Sequence, residues 1–179
     1  MTQESLRDTD PDTRTAYSAD SAEAIDSAEA IDPADAIDPL ALENQVCFAL
    51  AVASRSVIGV YKPILRPLGL THPQYLVMLA LWERDPRSVK ELGAALQLEP
   101  ATLSPLLKRL ESSGYIARTR DPQDERVLRV VLTDAGRTLR EEALTIPPRI
   151  VDRLGMSLDE LVSLRNTLHR VIRAAVDDD

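Results

Sequence analysis

Residues 88–133 constrain this chain more than any other stretch. SVKELGAALQLEPATLSPLLKRLESSGYIART (88–119) carries two helix-period apolar patterns separated by a turn. Val89, Leu92, Ala95 and Leu96 line one face, and Leu103, Leu106, Leu107 and Leu110 line the next. Gly114 stands where a helix C-terminal glycine belongs. YIARTRD (115–121) alternates apolar and polar residues, PQDER (122–126) is turn-forming, and VLRVVLT (127–133) is β-branched and apolar. That is a strand, a tight turn and a returning strand. Short helix, turn, longer helix and β-hairpin make a winged helix-turn-helix over about 86–133, a mainly α fold with a small β-hairpin wing.

Helical patterns flank this unit. Asp38-Pro39 is a good helix start, and Leu42, Val46, Leu50, Ala53, Val57 and Val60 recur at spacings of three or four. They predict one amphipathic helix over about 38–62. Pro63, Pro67 and Gly69 break it, and a second helix runs from about Pro73 to Glu83 before DPRS (85–88). Thr133-Asp134 caps a helix over about 134–153 that Pro147-Pro148 interrupts, and Ser157 starts a last helix over about 158–175. The terminal regions, about 38–62 and 134–175, have broad apolar faces that need a surface to pack on. A second copy of the chain supplies one, so a homodimer is expected. The domain spans 38–179.

The charge is unevenly placed. Positions 1–40 hold eleven acidic and two basic residues, a net of −9, and the other 139 residues are nearly balanced. Residues 1–37 contain the near-repeat SAEAID, SAEAID, PADAID and almost no large apolar side chains. Such a segment cannot bury enough surface to offset its ordering entropy, so it reads as an acidic disordered tail that keeps the chain soluble. The acidic balance therefore does not argue against a nucleic-acid partner for the rest. One cysteine excludes a disulfide within the chain and a cysteine-rich zinc site, and fits a reducing compartment. There is no basic-then-apolar leader, and the most apolar stretch, 46–61, is short and contains Arg55. A cytoplasmic protein without a membrane, metal or cofactor requirement is expected.

In a helix-turn-helix the second helix enters the major groove of double-stranded DNA with its N-terminal residues toward the bases. Here those residues are Ala101, Thr102, Ser104 and Pro105, with Lys108 and Arg109 placed to neutralise phosphates. Arg126 at the hairpin turn suits a narrow minor groove, and Asp124 is placed to accept from its guanidinium. Residues 88–129 carry seven basic and six acidic side chains. The signal is therefore the order of elements rather than charge density, and two subunits reading an inverted repeat offset the weak charge.

Cys47 sits in LENQVCFAL (42–50), where cysteine can serve as a small hydrophobe beside Val46, Phe48 and Leu50. A second reading comes from Tyr61. Fourteen residues place the two on nearly the same helix face but about 21 Å apart along the axis. They cannot touch within one straight helix. Two copies crossing about a two-fold axis can bring Cys47 of one to Tyr61 of the other, where a phenol hydroxyl stabilises a thiolate. A helix starting near 38 leaves Cys47 two turns in, beyond the reach of the helix dipole.

Asp124-Glu125-Arg126 followed by VVLTDAG (130–136) resembles the MarR family of dimeric winged-helix repressors, over about residues 40–175. Within it LENQVCFAL, YKPIL, GLTHPQYLVMLALWE and LSPLLKRLE are similar to the organic-hydroperoxide sensors of the OhrR type, one-cysteine subtype. That resemblance implies that Cys47 is a peroxide-reactive thiol hydrogen-bonded by two tyrosines of the partner subunit. One matches Tyr61. The other belongs to Thr-Tyr-Pro-Gln-Tyr, where this chain has THPQY and His72 takes the place; Ala51 replaces a further tyrosine. An imidazole can donate in its stead, more strongly when protonated.

The resemblance further implies a reduced dimer on an inverted-repeat operator and a lipophilic organic hydroperoxide entering around Phe48. It implies a sulfenic acid at Cys47, capping by an external low-molecular-weight thiol, and release of DNA. Two rivals stand beside this: a MarR-type repressor released by reversible binding of a lipophilic or aromatic ligand, with Cys47 structural, and a one-cysteine peroxidase. The winged-helix wording disfavours an enzyme.

Overall fold

The computed structural model describes residues 38–176; the acidic segment 1–37, expected to be disordered, lies outside the described residues. The chain divides into two units between Gln45 and Val46. In the described part of the first, Asp38 Oδ1 accepts from the Leu40 N–H at 2.9 Å, and Leu42–Asn44 form one 3-10 turn. Asn44 Nδ2 donates to the Asp38 carbonyl at 2.9 Å and Gln45 Nε2 to the Pro39 carbonyl at 2.5 Å. These side chains occupy carbonyls that a continuing helix would use, and Gln45 itself is extended. The helix predicted from residue 38 therefore begins only at Val46, and Leu42 is not on it.

The second unit runs α1 (Val46–Leu65), α2 (His72–Glu83), β1 (Arg87–Ser88), α3 (Val89–Leu96), α4 (Pro100–Ser112), β2 (Ile116–Arg120), β3 (Leu128–Leu132), α5 (Asp134–Ala143), α6 (Ile146–Leu154) and α7 (Leu158–Val176). It is mainly α with a small antiparallel sheet, as the sequence predicts. The sheet has three strands in the order β1-β3-β2 rather than two. β1 is two residues long, too short for any periodicity, and pairs Arg87 with Val130 and Ser88 with Arg129. The helix predicted over 134–153 is two helices, parted at Leu144-Thr145 just ahead of the proline pair.

One core holds the unit together. Ile64 and Leu65 from the end of α1 join Val77, Met78 and Leu81 of α2, Leu92 of α3, Leu103, Leu107 and Leu110 of α4, Val130 of β3 and Ile146 of α6. Full burial of each large apolar side chain contributes about 1.5–3 kcal/mol. Thr133 caps α5, accepting from the Gly136 N–H at 3.1 Å, and Ser157 and Glu160 cap α7 reciprocally.

The outer elements leave apolar surface uncovered. Val46, Phe48, Leu50, Val52 and Ile58 of α1 are exposed, and so are Leu158, Val162, Leu164, Val171 and Ile172 of α7. α1 with the turn after it, Val46–Leu68, is long and apolar enough by composition to cross a membrane. The reading of 46–61 alone did not anticipate this. Its inner end instead closes the protein core, and it packs on α2 and α6.

Candidate nucleic-acid interface and thiol site

Ser88 opens α3 as a reciprocal cap. Its hydroxyl accepts from the Glu91 N–H at 3.1 Å, and Glu91 Oε2 accepts from the Ser88 N–H at 2.7 Å. These bonds to Ser88, reinforced by Arg84, hold the Glu91 carboxyl below the usual glutamate range. The turn after α3 is tight. Gln97 takes a left-handed conformation (φ 53°), the Leu98 N–H donates to the Gly93 carbonyl at 2.9 Å, and a Cβ at Gly93 would stand 3.0 Å from the Leu98 oxygen. A bare α-carbon thus lets the chain reverse closely enough to lay α4 across α3.

Pro100 starts α4, and Leu103, Leu107 and Leu110 anchor one side in the core. Ala101, Thr102, Ser104, Pro105, Lys108 and Arg109 all fall on the opposite, exposed side. Two details go beyond the sequence reading. The Ser104 hydroxyl donates to the Pro100 carbonyl at 2.7 Å, so it turns back onto its own helix and offers only acceptor capacity outward. Pro105 carries no N–H, so it cannot donate to the Ala101 carbonyl one turn earlier.

The wing is held by a side chain the sequence reading missed. Asp121 is buried at the end of β2, accepts from the Gln123 N–H at 2.7 Å and forms an ion pair with Arg129. The Gln123 N–H first, and Arg129 after it, hold the Asp121 carboxyl below the usual aspartate range. The Asp121 N–H donates to the Val127 carbonyl at 2.9 Å, and Arg120 Nη1 donates to the Glu125 carbonyl at 2.7 Å. Asp124 does not orient the Arg126 guanidinium as expected. It accepts from the Arg126 backbone N–H at 3.0 Å, a two-residue turn bond that favours the loop and leaves the guanidinium exposed. Asp121, just past the end of β2, and Arg129 on β3 lie eight residues apart, a signal visible only once the hairpin register is known.

Cys47 is exposed and is the second residue of α1, not two turns inside it. It therefore stands in the first turn, where backbone N–H groups lack helical acceptors and the dipole favours negative charge. The sequence-based reason for setting the dipole aside fails with the late start of α1. Tyr61 sits on the same unbroken helix, about 21 Å away along the axis. Its neighbour is His72 of α2, ring centroids 5.0 Å apart and edge-on. Tyr75 lies 5.9 Å from Tyr61, and Trp82 lies 6.2 Å from Tyr75.

One chain thus brings Tyr61 and His72 together and leaves Cys47 apart. Burial raises the Tyr61 phenol above its ordinary value, so it stays a donor. Burial lowers His72, which favours the neutral imidazole, a single N–H donor, over the stronger protonated form. The α2 start that sets His72 is fixed by Gln74, whose Oε1 accepts from both the N–H and the hydroxyl of Thr71 at 2.8 Å.

Beside this pair lies a cavity of about 450 Å³, lined by Ile58, Lys62, Arg66, Leu70, Thr71 and His72 among others. The expected entry around Phe48 is not where this cavity sits; Phe48 is exposed near the opposite end of α1. Trp82 Nε1 donates to the Gly136 carbonyl at 2.9 Å. Gly136 abuts the base of the wing so closely that a Cβ there would overlap the Tyr115 carbonyl oxygen. At that base the Thr133 N–H donates to the Tyr115 carbonyl at 3.1 Å and its hydroxyl to the Gly114 carbonyl at 2.6 Å.

Residues 70–128 match the MarR family. The chain is 42% identical over 133 residues to the organic hydroperoxide resistance transcriptional regulator of Bacillus subtilis (strain 168), covering 74% of this chain and 90% of that protein. It is similar to the crystal structure of AbfR of Staphylococcus epidermidis, with a TM-score of 0.65 and 34% identity over 76% of this chain and 94% of that one. The structure of reduced AbfR bound to DNA aligns at a TM-score of 0.63 and 35% identity, covering 75% and 94%.

Proposed function

Because the chain belongs to the MarR family of transcriptional regulators, we propose that it is a DNA-binding repressor switched off by oxidation of Cys47 with an organic hydroperoxide. The observation that carries this reading is the split site. Tyr61 and His72 are paired at one end of α1, and the exposed Cys47 stands about 21 Å away at the other. A second copy, packed through the uncovered apolar faces of α1 and α7, completes the site. The hydroperoxide resistance regulator of Bacillus subtilis and the DNA-bound reduced form of AbfR support the same reading by similarity.

In the reduced dimer each α4 lies in a major groove of an inverted-repeat operator. Thr102, Ser104 and Pro105 face base edges, Lys108 and Arg109 face phosphates, and Arg126 reaches the adjacent minor groove. Asp124 shapes the loop that presents Arg126. The Cys47 thiolate attacks the terminal oxygen of the hydroperoxide, the O–O bond breaks, and the alkoxide takes a proton and leaves as an alcohol. The resulting sulfenic acid condenses with a low-molecular-weight thiol, giving a mixed disulfide and water.

The added group crowds the interface beside the partner's Tyr61 and His72. From Tyr61 a packed aromatic row, Tyr75 and Trp82, ends on the Gly136 carbonyl at the base of the wing. Displacement at Tyr61 is thereby passed to Arg126 and α4, and the operator is released. The protein acts in the cytoplasm, where small thiols are abundant.

The cavity beside His72 favours a second reading, reversible binding of a lipophilic ligand with Cys47 inert. Cys47→Ser separates the two. The sensor reading expects the variant to keep operator affinity and to stay bound in hydroperoxide. Release of the variant by hydroperoxide would show that the thiol is not the trigger.

A further inference from the structure

The Tyr115 side chain has no part in the mechanism above, yet it crosses from the DNA-reading elements to the sensing end of α1. Its phenol O–H donates to the Leu68 carbonyl at 3.1 Å, across 47 residues of sequence. Leu68 belongs to the 3-10 turn Arg66–Leu68 between α1 and α2. That turn folds tightly back on α1: the Gly69 N–H donates to the Arg66 carbonyl at 3.1 Å and the Leu70 N–H to the Leu65 carbonyl at 3.3 Å. Gly69 is left-handed (φ 68°), and a Cβ there would stand 3.9 Å from the Tyr115 hydroxyl. Gly69, Leu70, Thr71 and His72 line the cavity described above. Tyr115 and Tyr61 therefore both contact one short segment, 68–72.

The backbone of Tyr115 is built into the reading elements. Its N–H donates to the Leu110 carbonyl in the last turn of α4 at 3.1 Å, and its carbonyl accepts from the Thr133 N–H just past β3 at 3.1 Å. Glu111 of α4 pairs with Arg118 of β2, which joins helix and hairpin a second time. Gly136, where the aromatic row from Tyr61 ends, abuts the Tyr115 carbonyl. The Leu68 bond and the aromatic row thus meet at one residue.

We infer that Tyr115 is the positioning residue through which the sensing end of α1 sets the pose of α4 and the wing. The inference deepens the proposed thiol sensor and rests on it. A phenol is a stiff ring with two torsions, and the O–H···O bond at its tip is directional. When the 68–72 segment shifts, the bond either draws Tyr115 along or breaks. Breaking it strips a partner from the carbonyl of Leu68, a residue only 7% exposed, so following costs less. Tyr115 packs against the core, which resists swinging the ring aside. The fold of α4 itself does not depend on this hydroxyl, because Leu103, Leu107 and Leu110 anchor the helix. Removing the hydroxyl leaves α4 folded but uncoupled from the turn.

Tyr115→Phe keeps the ring and removes the donor. Parent and variant, each reduced and each capped at Cys47 with cumene hydroperoxide and cysteine, are compared on one operator duplex. The coupling is the ratio of operator Kd in the capped form to that in the reduced form. The variant should lower that ratio about tenfold, with its reduced-form Kd within about twofold of the parent's and Cys47 oxidised at the parent's rate. A merely structural hydroxyl would weaken both forms alike and leave the ratio unmoved. Hydrogen exchange without DNA gives a second readout that needs no variant: capping Cys47 in the parent should speed amide exchange over 110–116. A preserved ratio, or exchange over 110–116 that capping leaves unchanged in the parent, would overturn the inference while leaving the sensor reading intact. If the capped parent keeps its full operator affinity, the sensor reading falls and takes the inference with it.

Discussion

Cys47 and Tyr61 illustrate what a sequence discloses at the residue scale. Their separation was legible, because fourteen residues of unbroken helix fix both an angle and a length. The position of Cys47 within that helix was not. Asp38-Pro39 has the better capping chemistry, yet the amides of Asn44 and Gln45 satisfy nearby carbonyls and end the first turn early. A weaker local signal decided where α1 begins, and with it whether the helix end acts on Cys47.

If the partner's Tyr61 donates to the Cys47 thiolate, Tyr61→Phe should slow oxidation of Cys47 by a lipophilic hydroperoxide about tenfold, with operator affinity in the reduced state unchanged. Stopped-flow loss of free thiol measures it; an unchanged rate removes the phenol from the site. At the wing, Asp124 shapes the loop rather than the guanidinium, so in the proposed complex Arg126 makes its minor-groove contact without that support. Arg126→Ala should weaken operator binding about tenfold at fixed salt and lower the salt slope by about one, read by fluorescence anisotropy.

At the scale of elements, helix-turn-helix and hairpin were legible because each obeys a local period. Leu103, Leu107 and Leu110 predicted the buried side of α4, and the buried side fixed which residues face out. What the sequence hid were the joints between elements. β1 is too short to show alternation, the Asp121–Arg129 pair depends on strand register, and the Trp82–Gly136 bond spans 54 residues. Gly136 is the tightest of these joints, since any side chain there strikes the Tyr115 carbonyl at the root of the wing. Gly136→Ala should cost about 1–3 kcal/mol of stability. Thermal unfolding measures it, and an unshifted melting temperature would show that α5 and the wing adjust freely.

For the whole molecule, the sensor proposed above is complete only as a dimer, which would unite the two halves of its site. One copy holds Tyr61 and His72 together and leaves Cys47 exposed, and the uncovered apolar residues of α1 and α7 are the surface on which the proposal packs a second copy. The split between an acidic first 40 residues and a nearly neutral remainder was visible from composition alone. The central claim is that one oxidised thiol per subunit controls DNA release. It is tested most directly by titrating the operator-bound protein with an organic hydroperoxide plus a small thiol, and measuring bound DNA and the mass of the Cys47 peptide in the same samples. The account predicts that DNA release tracks the mixed disulfide at Cys47 in proportion. Release that precedes any mass change at Cys47, or full modification with the operator still bound, would contradict it.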